Sequence, residues 1–280
     1  TGVQTCALPI LAPSQRHFYL LPPTQFRVTY AINQWMDPAR PVDQSKAMQQ
    51  WLALKQTYED LGAKVDLIEI ANPQPDHVFV GDSVFLFGDK AVASRFRYAE
   101  RTEEVEPILA EFEALGYQVL RLPETLYYEG NGDTVYWNGR LLAGYDQRSS
   151  LEAHQELEAL LGLPVVSLDV QAPHFHVDTC ITPLDENTLA YVAGSLSAES
   201  MELVRGLGAN LIEINADEGL RLAGNCITID GHVVLSTTEA PAFQAALVAA
   251  GFTPHPLDLG EFAKSGGGAK CLTLEAYPVA

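Results

Sequence analysis

Apolar and polar positions follow two alternating rhythms along this chain. In the first, apolar residues recur every three or four positions and predict amphipathic helices at about 43–61, 102–115, 150–161, 198–207 and 240–250. The first of these lays Met48, Trp51, Leu52, Leu54, Lys55 and Tyr58 along one stripe. Each helix runs into a glycine (Gly62, Gly116, Gly162, Gly208, Gly251), the residue that turns left-handed most readily at a helix C-terminus. A short, mostly apolar strand follows each glycine. The glycines lie 54, 46, 46 and 43 residues apart, which marks an internal repeat.

The second rhythm has period two and forms hairpins between each such strand and the next helix. Segments 78–80 and 83–87 turn through Gly88-Asp89 into 91–93. Segment 134–137 turns through Asn138-Gly139 into 141–143, and 226–229 turns through Asp230-Gly231 into 233–235. A single strand, hairpin and helix unit cannot bury its own faces, so five of them must pack side by side. A ring of five leaves no bare edge. The predicted fold is therefore one closed five-bladed α/β propeller with its site at the central axis. A doubly wound sheet is the second choice, but no Gly-x-Gly-x-x-Gly opens a helix, so a dinucleotide site has no support.

Composition narrows the partners. The chain of 280 residues is 47% hydrophobic, enough for a sizeable core, and carries 17 Lys+Arg against 36 Asp+Glu, a formal charge of −19. That charge opposes phosphate backbones and anionic membrane surfaces, so neither nucleic acid nor a membrane is expected as a partner. Cys6, Cys180, Cys226 and Cys271 form no Cys-x-x-Cys pair and have no histidine at zinc-site spacing, which predicts reduced thiols and no metal. With no apolar run long enough to span a bilayer and no basic-then-apolar start, a cytoplasmic location is expected. Residues 1–16 resemble the translation of a sequencing adapter and are read as a non-native leader, with the propeller domain at 17–280 and Cys6 belonging to the leader.

Four stretches carry polar residues that the repeat does not require. Ser265-Gly266-Gly267-Gly268-Ala269-Lys270-Cys271 places a thiol after three glycines, whose missing Cβ atoms are expected to let a ligand approach the sulfur, and just before an apolar strand at 272–275. Tyr128-Glu129-Gly130-Asn131-Gly132-Asp133 sets two carboxylates around two glycines. In Pro173-His174-Phe175-His176-Val177-Asp178-Thr179-Cys180, read as extended, His174, His176 and Asp178 share a face. Asp82 stands where a strand would carry an apolar residue. These stretches fall in four different repeats, and a propeller brings equivalent positions to one axis. A thiol, a histidine and several carboxylates suit attack on an electrophilic carbon in a cationic group: the acids hold the cation, the thiolate adds to carbon and the histidine moves protons. The cation also favours the thiolate. Guanidinium fits that description.

The ordered set Asp82, Glu129-Gly130-x-Gly132-Asp133, His176-Val177-Asp178-Thr179, Asn225-Cys226 and Gly267-Gly268-Ala269-Lys270-Cys271 resembles the guanidino-modifying (pentein) superfamily, in particular dimethylarginine dimethylaminohydrolases and arginine deiminase-like amidinohydrolases. The resemblance covers about 17–275. It implies a five-bladed propeller without a cofactor, a small guanidino substrate (arginine or a methylated arginine) and a covalent amidino-thioether on Cys271. His176 would protonate the leaving amine and then activate water. Glu129 and Asp82 would grip the guanidinium with help from Asp178; Arg101 and Arg148 would hold the substrate carboxylate, and Asp76 would lie near its amino-acid end. A homodimer is compatible with the resemblance.

The chain also shares features with neighbouring branches. Gly81 and Asp178 stand where dimethylarginine enzymes tend to carry an acid and a lysine. The stretch Tyr30-Ala31-Ile32-Asn33-Gln34-Trp35-Met36-Asp37-Pro38 resembles arginine dihydrolases, which form ornithine but carry Asn at the position of Asp82, and Asn33 is a candidate substrate contact on that basis. Asp82 predicts a single hydrolysis to citrulline. Arginine dihydrolase and amidinotransferase activities are the enzymatic alternatives; a ribosome-associated initiation factor of the same fold is the non-enzymatic one.

Overall fold

The computed structural model describes residues 15–278; Cys6 and the rest of residues 1–14, read from the sequence as part of a leader, lie outside them. The fold is mixed α/β. Its strands are β1 (His17–Leu20), β2 (Lys64–Leu67), β3 (Val84–Phe87), β4 (Lys90–Ala93), β5 (Gln118–Leu120), β6 (Thr134–Trp137), β7 (Arg140–Tyr145), β8 (Val165–Asp169), β9 (Ile181–Pro183), β10 (Thr188–Val192), β11 (Asn210–Ile214), β12 (Ile227–Ile229), β13 (His232–Leu235), β14 (Thr253–Pro256) and β15 (Leu274–Tyr277). The helices are α1 (Gln44–Asp60), α2 (Val105–Ala114), α3 (Ala153–Leu161), α4 (Ala198–Gly206), the single-turn α5 (Ala216–Gly219), α6 (Pro241–Ala249) and the single-turn α7 (Gly260–Ala263).

One pairing pattern recurs. An antiparallel hairpin is joined on one side by a parallel third strand in β3-β4-β5, β6-β7-β8, β9-β10-β11 and β12-β13-β14. The fifth group has the same pattern, but its hairpin partners come from opposite ends of the chain: β1 pairs antiparallel with β15 and parallel with β2. No turn signal could announce that pair. Its register, Phe18 opposite Glu275 and Tyr19 opposite Leu274, ties the start of the domain to the strand that follows Cys271. Arg16 belongs to this group too, since its carbonyl accepts from the Lys64 amide and its guanidinium pairs with Glu275.

The five repeat glycines all have left-handed φ, between 68° and 96°, as a helix C-terminus demands. Helix α1 is capped by Asp43, whose side chain accepts from the Lys46 amide at 2.9 Å. It buries Ala47, Trp51, Leu54 and Tyr58 at the three-to-four spacing of one face. Leu52, placed on that stripe from the sequence, is 51% exposed because one step beyond Trp51 rotates it by 100°.

Two expected strands are turns. Residues 78–80 lead into a 3₁₀ turn at Val80–Ser83, and 173–180 contains another at Val177–Thr179. Asp82 and Asp178 therefore stand on tight turns just ahead of strands. There a carboxylate can face the interior without replacing an apolar rung of a sheet. Likewise β15 begins at Leu274, so Cys271 lies on a turn three residues before it.

Candidate active site

Cys271, His176, Asp178, Asp82 and Glu129 all come together, each at most 3% exposed. The Cys271 thiol donates to Asp178 Oδ2 at 3.3 Å and accepts from Asn225 Nδ2 at 3.1 Å. Asn225 Oδ1 in turn accepts from the amides of Lys270 and Cys271, at 3.1 and 3.2 Å, which fixes the turn that presents the sulfur. Asn225 was visible only as part of the Asn225-Cys226 motif, with no role attached.

The glycines before Cys271 act differently from the expectation. A Cβ at Gly267 would fall 2.3 Å from the Phe79 ring and one at Gly268 would fall 2.2 Å from Ser236 Oγ. They admit the protein's own side chains against the loop, and Gly266 and Gly267 also line the cleft that Cys271 borders. Gly132 has a similar role: its missing Cβ leaves room for Asp82 Oδ1 and His176 Nδ1, each 2.7 Å from where that Cβ would be.

His176 Nε2 donates to Glu129 Oε2 at 2.8 Å, and its Nδ1 lies 3.8 Å from Asp82 Oδ1. Burial alone would lower its pKa, but Asp82, Glu129 and Asp133 outweigh it and raise it to about 9, so the ring is an imidazolium at neutral pH. Glu129 is the counterpart. Burial would raise it, yet Arg148 and His176 hold it down to about 2. Its Oε1 also accepts from the Arg97 amide at 3.0 Å, so both oxygens are taken by protein groups. The expected grip of Glu129 on a ligand gives way to a clamp on His176 and Arg148. Burial, reinforced by the charges of Asp178 and Asp82, pushes the Cys271 thiol well above its usual range, and it is un-ionised in the free protein.

The cationic residues also have partners. Arg101 donates to both oxygens of Glu104, at 2.9 and 2.7 Å, and to Asp82 Oδ2 at 2.6 Å. The one sequence signal for this pair is the spacing of three between Arg101 and Glu104 at the start of a predicted helix; the two sit on one 3₁₀ turn, Ala99–Glu104. Arg148 keeps more freedom. It gives one bond at 3.1 Å to Glu129 Oε2 and one at 3.1 Å to the Ile32 carbonyl, with its guanidinium 4.7 Å from each of the Tyr98 and Phe175 rings. Asp76 accepts from Tyr30 at 2.7 Å through Oδ2. Asn33 spends its amide on the loop itself, donating to the Ser265 carbonyl at 2.9 Å and accepting from the Trp35 and Met36 amides. It lines the cleft, but its polar atoms are already engaged.

Cys271, Asp82, Asp76, Arg101, Arg148 and Asn33 border one cleft, which leaves about 10 Å³ free, roughly one water molecule. Ile32, Asn33 and Met36 of the 30–37 loop are among the residues that line it. Asp82 Oδ1, Asp178 Oδ1, Asp76 Oδ1, Ser265 Oγ and His176 Nδ1 are buried without a protein partner, so the groups left to meet a ligand are mainly anionic acceptors. Among the described residues no cluster of His, Cys, Asp or Glu could hold a metal ion, and no helix is long and apolar enough to cross a membrane.

Asp133 scaffolds the site from behind. Its carboxylate accepts from Ser149 N and Oγ at 3.1 and 2.6 Å and from the Val177 amide at 3.2 Å, holding the turn that carries Asp178. Asp133→Ala strands these buried donors and is expected to lower stability by about 2–4 kcal/mol, read as a reduced urea midpoint at unchanged slope.

The chain is similar to several known proteins. A dimethylarginine dimethylaminohydrolase of Mycobacterium tuberculosis is 40% identical over 269 residues, covering 95% of this chain and 87% of that protein. The bifunctional arginine dihydrolase/ornithine cyclodeaminase AgrE of Nostoc is 35% identical over 268 residues, 93% of this chain and 38% of that longer protein. Among solved structures, the substrate-bound N-terminal domain of the cyanobacterial arginine dihydrolase ArgZ superposes with a TM-score of 0.90 at 31% identity, over 95% of this chain and 100% of that domain. The family model for N,N dimethylarginine dimethylhydrolase, eukaryotic, matches residues 22–277, and the chain belongs to that family.

Proposed function

We propose that this protein hydrolyses a C–N bond in the guanidinium of arginine or an Nω-methylated arginine, releasing citrulline and ammonia or a methylamine through an adduct on Cys271. The observation that carries the reading is a buried cluster in which the Cys271 thiol contacts Asp178 and His176 lies between Glu129 and Asp82, with Cys271 and Asp82 on one cleft. An un-ionised thiol stands in the same buried cluster as a histidine held as imidazolium by Asp82 and Glu129, beside a cleft whose unpartnered oxygens, Ser265 Oγ apart, are carboxylate. A guanidinium entering that cleft supplies the hydrogen-bond donors that Asp82 Oδ1 and Asp76 Oδ1 lack, and its charge lowers the cost of ionising Cys271.

The sulfur then adds to the guanidinium carbon, and His176 gives a proton to the departing amine. Neutral His176 next takes a proton from water as that water attacks the amidino carbon, and the C–S bond breaks. Glu129 holds His176 in its charged form and orientation. Arg148, with N–H groups to spare, takes the substrate carboxylate. We further propose that the five three-stranded groups close into a five-bladed propeller forming one domain, which would bring the four turns to one axis. Membership of a hydrolase family sets aside the ribosome-binding alternative.

The dihydrolase reading has the ArgZ likeness and the 30–38 stretch in its favour. Against it stands Asp82. A carboxylate makes a charge-assisted bond to a guanidinium and loses that attraction when the product is a neutral ureido group, whereas an Asn bonds either about equally. The deciding experiment incubates the protein with arginine, monomethylarginine, asymmetric dimethylarginine and agmatine and counts amine released per amino-acid product. One amine per citrulline is expected, with agmatine slower by at least about tenfold because it has no carboxylate for the spare N–H groups of Arg148 to hold. Ornithine with two amines released would replace this reading by the dihydrolase one, and agmatine turning over as fast as the best amino acid would remove the role of Arg148.

A further inference from the structure

We propose that Asp178 is the base that takes the proton from Cys271, and that its carboxyl exchanges this proton through a second cavity behind the cleft. The inference rests on Cys271 being the nucleophile. A buried thiol needs somewhere to put its proton, and its two side-chain contacts are Asp178 Oδ2 at 3.3 Å and Asn225 Nδ2 at 3.1 Å. The amide nitrogen can only donate. His176 has no capacity either: it is already an imidazolium between Glu129 and Asp82, and it must keep its proton for the leaving amine. Asp178 is the remaining acceptor.

The other oxygen of Asp178 has no protein partner, although the residue is 1% exposed. Asp178 also lines a cavity of about 550 Å³, together with Thr182, Cys226, Thr228 and Lys270, that shares no lining residue with the front cleft. The residue thus has one carboxyl oxygen on the sulfur and also lines a space large enough for water and small ions. Burial raises its pKa, with Asp82 adding to the effect and His176, the Cys271 hydrogen bond and Lys270 opposing it, to about 7. Above that pH it is a carboxylate able to accept a proton.

The steps balance. The S–H bond breaks as an O–H bond forms on Asp178, and the freed sulfur pair makes the C–S bond. The electrons of the broken C–N bond leave on the amine, which takes the proton of His176. In the second half, water forms the new C–O bond and gives a proton to His176. The C–S pair returns to sulfur, which is re-protonated from Asp178, and as the ureido C=O forms the remaining water proton passes to the freed Asp178 carboxylate and leaves to water in the cavity.

The test follows adduct formation on Cys271 by mass spectrometry of quenched reactions at saturating concentrations of the best guanidino substrate. Asp178→Asn, close to isosteric and checked for an unchanged melting transition, is expected to slow adduct formation at least about a hundredfold, with KM moved less than tenfold. The rise of the rate as pH passes about 7 should disappear in the variant. In Asp178→Ala, sodium formate should restore adduct formation in a concentration-dependent way by occupying the vacated space from the rear cavity. A rate within fivefold of wild type, a rise near pH 7 that persists, or a loss confined to KM would each overturn the base role. No rescue by formate would overturn the route through the cavity. A wild-type enzyme that forms no adduct with any guanidino compound would instead defeat the functional reading itself.

Discussion

Cys271→Ala is expected to lose turnover by about a hundred-thousandfold or more, because it removes the sulfur proposed to carry the covalent intermediate. The other described thiols provide internal controls. Cys180 and Cys226 are fully buried, and burial pushes both up to about 12. Cys180 donates to backbone carbonyls of His176 and Ser195 rather than to an acid, and belongs to an apolar cluster with Val177 and Ile181. Cys180→Ala and Cys226→Ala should therefore cost stability through small cavities and leave most of the activity in place. Mass spectrometry of wild-type enzyme quenched during turnover should place an amidino adduct on Cys271. An adduct on Cys180 would sink the assignment of the nucleophile.

His176→Ala should reduce kcat by about a hundred- to ten-thousandfold, the usual range for a positioned acid and base. His174 is the neighbouring control. Burial lowers its pKa to about 4, its contact is a 3.3 Å bond to Thr179 Oγ1, and it carries no charge to donate at neutral pH. Its alanine variant should lose much less, and equal losses would mean that the wrong ring had been chosen. The pH dependence follows from the acids around His176. From residue type alone, activity is expected to peak in the usual histidine range; the raised value moves the limb upward, so the imidazolium donor is lost, and adduct formation falls, as pH rises through about 9. Stability has the same sign. The folded-state pKa lies above the unfolded value of about 6.5, so the contribution of the charged ring is fully present below that value. It is lost as pH rises through about 9, and a chemical-denaturation series across pH 6 to 10 would detect it. A limb that stayed near 6.5 would show that Asp82 and Glu129 do not hold the charge.

What the sequence by itself determined is what short stretches can encode. The helices with their terminal glycines, the Asn138-Gly139 and Asp230-Gly231 hairpins and the repeat period all depend on residues a few positions apart, and the structure has them where the pattern places them. The ordered motifs around Asp82, Glu129, His176 and Cys271 were likewise enough to point to the family that the comparison shows. Tertiary structure decided the rest, because those features depend on groups far apart in the chain. The β1–β15 pairing joins the two ends of the domain with no local signal. The turns at Val80–Ser83 and Val177–Thr179 override an extended reading because their carboxylates must point inward toward Arg101 and Cys271. Only packing made Glu129 a clamp rather than a ligand contact, by spending both its oxygens on Arg97, Arg148 and His176. The charge states are tertiary in the same sense. A histidine raised to about 9 and a thiol pushed well above its ordinary range follow from burial and from carboxylates that the fold, and not the chain order, brings within a few ångströms.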